Sequence, residues 1–435
     1  MKEFNIRCGT PNDAEGIFEV MAKAFHVEEN SSRWHSWKSL ATNQATQFRV
    51  LEIDGRIISV ALISPQRLRV GKNCEIIKGD VGEVSTLPEF QGTGYGSALM
   101  RDVVEWMRKN NYDMSRLGGY AGFYSRFGYV PFPRRFVEFS LESVKAGASN
   151  ISIEEMYRPP EGLPGIVRSY DADRDSIRRD ELYQIFNGER SGAIVSDFKP
   201  KSVEAKRQKV KVALIPSLSD PFRLVYEVDG IVEGYLFATD YGRDVTPFEA
   251  HITIGDIAFN PEYPDALEGL LKQILHFACE HGIGRVTARL PFDNAVLSIL
   301  TQAKITFKLE ELQGAYATNM IQIINIESLF RKICPELTAR LRASALDYKE
   351  VFYVEIGFEN QRVGLCVSDM GVNISSVDNA NIQLLTDQAT LMKLIFGIIS
   401  YEEAVIANRE KLDAFGSAVL SAWFPRQPCA SGPWG

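Results

Sequence analysis

Pro88-Glu89-Phe90-Gln91-Gly92-Thr93-Gly94-Tyr95-Gly96-Ser97 is the stretch on which the fold turns. It follows a strand pattern, Gly79 to Leu87. It opens an amphipathic helix pattern, Ser97 to Lys109, with Leu99, Val103, Trp106 and Met107 on the apolar face. Glycines at 92, 94 and 96 take side chains out of the turn, so backbone N–H groups can converge on an anion at a helix N-terminus. Strand, glycine turn and helix in that order read as a pyrophosphate cradle. A glycine-rich turn with no ligand is the alternative. A dinucleotide fold is disfavoured, because it needs Gly-x-Gly-x-x-Gly with an acidic residue about 20 positions later. A Walker loop needs Gly-Lys-Ser/Thr, which does not occur here.

Working outward, Ile6 lies in a short opening strand. Asp13-Ala14-Glu15 starts a helix with Ile17, Phe18, Val20, Met21, Ala24 and Phe25. A polar, aromatic stretch follows, Asn30 to Trp37. Phe48 to Ile53 and Ile57 to Ile63 read as strands joined at the hairpin signal Asp54-Gly55.

This order recurs. Phe222 to Val228 with Asp229-Gly230 echoes the hairpin, and Gly255-Asp256-Ile257-Ala258-Phe259-Asn260-Pro261-Glu262-Tyr263 echoes Gly82-Glu83-Val84-Ser85-Thr86-Leu87-Pro88-Glu89-Phe90. A helix pattern, Leu267 to Glu280, follows the second echo. We read an internal duplication with a period of roughly 170 residues, too long for a solenoid. Chance similarity of two strand-turn-strand units is the alternative. Where the first copy has its glycines, the second reads Pro264-Asp265-Ala266-Leu267-Glu268-Gly269, and its two carboxylates would repel a pyrophosphate.

A Pro/Gly-rich linker spans Arg158 to Gly165, and Lys199 to Lys211 is a basic run expected to be solvated. Beyond Ile326, Leu329, Ile333, Leu337 and Leu341 suggest a helix. Val351 to Phe358 and Arg362 to Ser368 suggest paired strands, with helices to about Trp423. The expected domains are 1–150, 151–325 and 326–435.

The 435 residues carry a formal net charge of -8, which disfavours nucleic acid as a partner. Six scattered cysteines, none at CxxC spacing and none clustered with the five histidines, give no sign of a zinc site or a disulfide framework. No run approaches the ~18 apolar residues of a membrane span, and the first residues lack an apolar signal core. A cytoplasmic location is the expectation.

Gln91-x-x-Gly94-x-Gly96 matches the (Gln/Arg)-x-x-Gly-x-(Gly/Ala) signature of the GNAT acetyltransferase superfamily. Gly119-Tyr120-Ala121-Gly122-Phe123-Tyr124-Ser125-Arg126-Phe127-Gly128-Tyr129 resembles the "YxrFGF" element of many members. The resemblance covers roughly residues 4 to 140. The whole layout resembles the enhanced intracellular survival (Eis) family: an active GNAT domain, a degenerate second copy and a sterol-carrier-like C-terminal domain. The expected fold class is therefore mixed α+β, two tandem GNAT folds followed by a sterol-carrier-like α+β domain.

That resemblance implies an acetyl-CoA-dependent N-acetyltransferase acting on a small-molecule or lysine amine by direct attack in a ternary complex. It also implies a homo-oligomer, with a hexamer as the family form. The alternative is an apolar-ligand-binding protein that uses the GNAT parts as scaffold. Expected cofactor contacts are Thr86, Leu87, Gln91, Gly92, Thr93, Gly94, Tyr95, Gly96, Ser97 and Gly119, with a backbone N–H around Thr86 and Leu87 polarising the thioester carbonyl. Tyr124 matches the superfamily's general acid, and a phenol of pKa about 10 can protonate a thiolate at neutral pH. A core tyrosine is the other reading. For the base, the family implies the terminal carboxylate, here Gly435, although the usual aromatic end is shifted to Trp434. Asp80 and Glu83 are rivals, and either could be a solvated strand residue. Phe25, Glu28, Trp34 and Trp37 lie where such domains wall the acceptor, and aromatics beside a carboxylate suit a cationic amine. Helix packing is the plainer reading for any single one of them, as it is for His26 and His35.

Overall fold

The structure is a computed structural model that describes residues 3–142, 144–146, 149–195, 220–241, 251–314, 317–348, 350–378, 380–408 and 413–430. The basic run 199–211, Trp434 and Gly435 lie outside the described residues. By its contacts the chain forms two compact units. One is Met1–Pro133 with Gln313–Arg426, and the other is Arg134–Leu312 with the chain end from Gln427.

In the first unit, β1 (Asn5–Cys8) leads through α1 (Ala14–Ala24) and α2 (Ser32–Gln44) to β2 (Phe48–Ile53), β3 (Arg56–Val70) and β4 (Cys74–Thr86). These strands form an antiparallel meander. After the glycine turn comes α3 (Tyr95–Lys109), then β5 (Met114–Tyr120), the one-turn α4 (Ala121–Tyr124) and the short β6 (Val130–Pro131). The seven-stranded sheet runs β1-β2-β3-β4-β5, then Ala317–Ile323, then β6. The α3 stripe Leu99, Met100, Val103 and Met107 is fully buried, and α1 contributes Ile17, Val20 and Met21 to the same core. Burial of about 1.5–3 kcal/mol per such side chain holds both helices on the sheet.

The second unit repeats this plan. Its sheet runs Ile166–Ser169, Arg223–Val228, Ile231–Tyr241, His251–Phe259, Arg285–Ala288, Arg134–Phe139, Phe307–Leu312. The helix Asp265–Glu280 buries Leu267, Leu270, Leu271, Ile274, Leu275 and Ala278. The internal strand Arg134–Phe139 comes from the end of the first repeat, and Ala317–Ile323 of the first sheet comes from the end of the second.

The units are thus drawn differently from the expected lines at 150 and 325. Each sheet is completed by a strand from the other repeat, and the segment after Ile326 packs in the first unit. A strand's alternation shows that it will be half-buried, not which partner will pair with it.

That C-terminal segment is itself α+β. The helix Ile326–Ala343 and three shorter helices accompany a sheet of Gly371–Ser375, Gln361–Ser368, Phe352–Phe358 and Ile382–Leu385. Its first helix is tied to the seven-stranded sheet of the first unit through Asp113, which is fully buried. The Asp113 carboxylate accepts from Ile77 N–H (2.6 Å), Ser328 Oγ (2.7 Å) and Lys332 Nζ (2.5 Å). Removing one partner of a buried ion pair strands the other. Asp113→Asn is expected to lower unfolding free energy by about 3 kcal/mol, read by denaturant melts. A change under ~0.5 kcal/mol would mean that the cluster relaxes freely. Among the described residues no helix is long and apolar enough to cross a membrane.

Candidate active site

β4 and β5 run parallel for four residue pairs, Lys78↔Met114 to Val81↔Leu117. Beyond Val81 the ladder ends, while β4 continues to Thr86 and β5 to Tyr120. The strands therefore splay. A bulge in the β3–β4 ladder between Val60 and Leu62 sits at the same level, and there Glu83 takes a left-handed φ of 50°. Bulges bend a strand and re-aim its side chains.

Into this splay opens a cavity of about 670 Å³. From the glycine turn and α3 it is lined by Gln91, Gly92, Gly94, Gly96 and Ser97. From β4 it is lined by Val81, Gly82, Glu83, Val84 and Thr86, and from β5 and α4 by Gly118, Gly119, Tyr120, Phe123 and Tyr124. Phe25, Phe90 and Arg126 complete its rim.

Gly94 is the N-cap of α3 at φ 95°, a conformation that strains any side-chain-bearing residue. No side chain caps the helix. The first turn of a helix leaves its N–H groups without intrahelical acceptors, so those of Gly96 and Ser97 at the start of α3 can face an anion. The open glycine loop lets an anion approach them. Gln91 Nε2 donates to Thr86 O (2.9 Å), pinning the loop to the strand end. A donor set made of backbone N–H groups at a helix start fits a pyrophosphate.

Leu87 corrects the expectation for the carbonyl-polarising amide. Its N–H donates to Ile58 O (2.9 Å), and its side chain is fully buried. Along an extended strand successive N–H groups point to opposite sides. Thr86 therefore directs its N–H away from β3, into the splay. Tyr95 is likewise a core residue, packed on Phe4 and Phe90 with ring centroids at 5.9 and 6.0 Å. The Thr93 hydroxyl turns back to Phe90 O, and Thr93 does not line the cavity.

Tyr124 crosses β5 at Gly119. A Cβ there would lie 2.4 Å from Tyr124 Cε2, so only glycine permits this crossing. The hydroxyl makes no hydrogen bond with the described residues, and burial raises the phenol's pKa above its ordinary value. Burial also raises the Glu83 carboxyl above the usual carboxylate range, while the Arg33 charge pulls the other way. Asp80 is placed differently. It binds Arg116 Nη1 (3.2 Å) and Lys78 Nζ (3.4 Å) at the paired part of β4 and does not line the cavity.

Of the expected acceptor wall only Phe25 reaches the cavity. Trp37 stands behind it, edge-on at 5.2 Å, and Trp34 packs on Phe18 at the same distance. Glu28 is exposed and outside the lining. Phe123 and Arg126 are lining residues that the sequence reading passed over, although both stand inside the quoted 119–129 motif.

In the second unit the corresponding long strand also outruns its parallel partner. His251–Phe259 and Arg285–Ala288 pair in parallel only from His251↔Arg285 to Ile254↔Ala288. Asp256, which follows Gly255 as Glu83 follows Gly82, is bound by Tyr235 Oη (2.8 Å) and by Arg179. The Arg179 guanidinium lies over Tyr235 and Phe237, 5.3 and 5.5 Å from the ring centroids. The following helix, Asp265–Glu280 with Pro264 as N-cap, has Asp265 and Glu268 in its first turn, where a phosphate would be repelled.

Residues 5–132 match the family model described as acetyltransferase (GNAT) domain. Three solved structures share the fold over nearly the whole chain. A conserved Enterococcus faecalis protein described as a probable N-acyltransferase is 14% identical, with TM-score 0.67, and 99% of each chain is covered. A GCN5-related N-acetyltransferase from Kribbella flavida is 16% identical, with TM-score 0.63, covering 98% of this chain and 96% of that one. Eis1 from Mycobacterium abscessus is 14% identical, with TM-score 0.58 and 99% of both chains covered. A search of curated proteins finds no match. The glycine turn, the splayed strands and the family match agree: residues 5–132 are a GNAT acetyltransferase domain, and the chain is an acyltransferase with acetyl-CoA as its donor.

Proposed function

We propose that the enzyme acetylates the amine of a small molecule or of a lysine side chain, by direct attack within a ternary complex. One observation carries this reading: the glycine turn with the Gly96 and Ser97 donors, the raised Glu83 carboxyl and Tyr124 line one cavity. Acetyl-CoA supplies the thioester. Glu83, as carboxylate, takes a proton from the acceptor ammonium, directly or through one water, and frees the nitrogen lone pair. Thr86 N–H, facing the splay, donates to the oxyanion that forms as nitrogen bonds the carbonyl carbon. Tyr124 protonates the sulfur as the carbon–sulfur bond breaks. Phe25, backed by Trp37, offers an apolar wall that also attracts a cation.

Glu83 is preferred to Asp80 because Asp80 is held by two cations away from the cavity. Gly435, the carboxylate implied by the family resemblance, is the remaining rival.

The test is free-thiol release from acetyl-CoA over a panel of small amines and lysine peptides, with initial rates at varied concentrations of both substrates. Intersecting reciprocal plots are expected. Parallel plots with an acetylated enzyme would overturn direct attack.

A further inference from the structure

Arg126 sits on the cavity rim, two residues beyond Tyr124, with an exposed side chain. Long exposed cations usually sample many rotamers, but this one is anchored twice. Its Nε donates to Phe123 O (3.2 Å). Its guanidinium carbon lies 4.9 Å from the Phe123 ring centroid and 5.8 Å from that of Phe127. Among the described residues no carboxylate pairs with it, and its terminal nitrogens make no hydrogen bond. A guanidinium held in place at a binding cavity without an anionic partner is organised for an anion that arrives with a ligand.

The Phe123 ring locates that anion. Its edge faces the start of α3, where a Cβ at Gly96 would lie 4.0 Å from Phe123 Cζ. One aromatic ring therefore separates the pyrophosphate donors of the glycine turn from the Arg126 charge. The donor has one other phosphate group, the 3′-phosphomonoester on its ribose, a dianion a few ångströms from the pyrophosphate.

We propose that Arg126 binds the 3′-phosphate of acetyl-CoA and selects it over the dephosphorylated cofactor. This rests on the acetyl-CoA reading of the cavity and adds a specificity residue to it. The guanidinium fork matches a phosphate bidentately, and such charge-assisted bonds are stronger than neutral ones. At a solvent-exposed rim the expected preference is about tenfold in Kd.

The test is calorimetric binding of CoA and 3′-dephospho-CoA to the full-length protein, Arg126→Gln and Arg126→Lys, at low ionic strength. Wild type should bind CoA about tenfold more tightly than 3′-dephospho-CoA. Arg126→Gln should lose that factor on CoA alone and bind both ligands as wild type binds the dephosphorylated one. Arg126→Lys keeps a charge without the fork and should recover part of the preference, which separates charge from packing on Phe123. Equal wild-type binding of the two ligands would overturn the assignment. So would an equal loss on both in Arg126→Gln, which would place the charge on the pyrophosphate. Absence of any CoA binding would instead refute the acetyl-CoA reading itself, so the two failures are distinguishable.

Discussion

Tyr124→Phe should lower kcat by about 10³-fold, or ~4 kcal/mol of transition-state stabilisation, while leaving the affinity for acetyl-CoA unchanged. The phenol is a largely buried proton donor that lines the cavity. Burial raises its pKa, so it stays protonated throughout the neutral range. The substitution removes one oxygen and nothing else. The hydroxyl has no hydrogen-bond partner among the described residues, so no buried group is orphaned, and the ring keeps its edge contact with Phe123 at 4.9 Å. Unfolding free energy should therefore stay within ~0.5 kcal/mol of wild type. Single-turnover thiol release and calorimetric cofactor binding on the same preparation check both halves. A variant with wild-type turnover would return Tyr124 to the role of a core aromatic.

Glu83→Gln should cost a similar factor, about 10³ in kcat/KM, and change the pH profile. The wild-type rate requires the carboxylate, so kcat/KM should rise with pH through the Glu83 pKa and level off above it. Burial sets that limb above the ordinary carboxylate range. In Glu83→Gln the limb should vanish along with most of the activity.

Stability runs the other way. A carboxyl whose folded pKa exceeds its unfolded value favours the folded state below the unfolded pKa. That contribution is lost as pH rises through the folded pKa. At neutral pH Glu83 is thus a charged, desolvated group that the fold tolerates, and Glu83→Gln should be at least as stable as wild type there. Nearly full activity in Glu83→Gln, with loss of activity on deleting Trp434 and Gly435, would move the base to the chain terminus.

The glycine turn was legible because its geometry is local. Glycines at 92, 94 and 96, between an apolar strand and an amphipathic helix, constrain the turn through bonded neighbours alone. The helix expected from Ser97 begins at Tyr95, within a turn of the reading. Tyr124 was legible for a similar reason, since Gly119 and the aromatic run around it are contiguous. Asp80 and Glu83 could not be told apart by sequence. They lie three residues apart on one strand, and only the bulge gives Glu83 to the cavity and leaves Asp80 to Arg116 and Lys78. Leu87 was misread for the same reason, because hydrogen-bond direction alternates along β4 and its phase depends on pairing with β3.

By itself the sequence determined that there are two repeats, that one carries a glycine-rich turn before its helix and that the other has Asp265 and Glu268 in that place. Those facts rest on residue type and short-range order. Only the tertiary structure decided that Arg134–Phe139 and Ala317–Ile323 each complete the other repeat's sheet, that Asp113 anchors the C-terminal segment, and that Arg179 and Tyr235 bind Asp256. A strand presents the same unpaired N–H and C=O groups to any neighbour. Its partner is chosen by long-range packing, which no local pattern records.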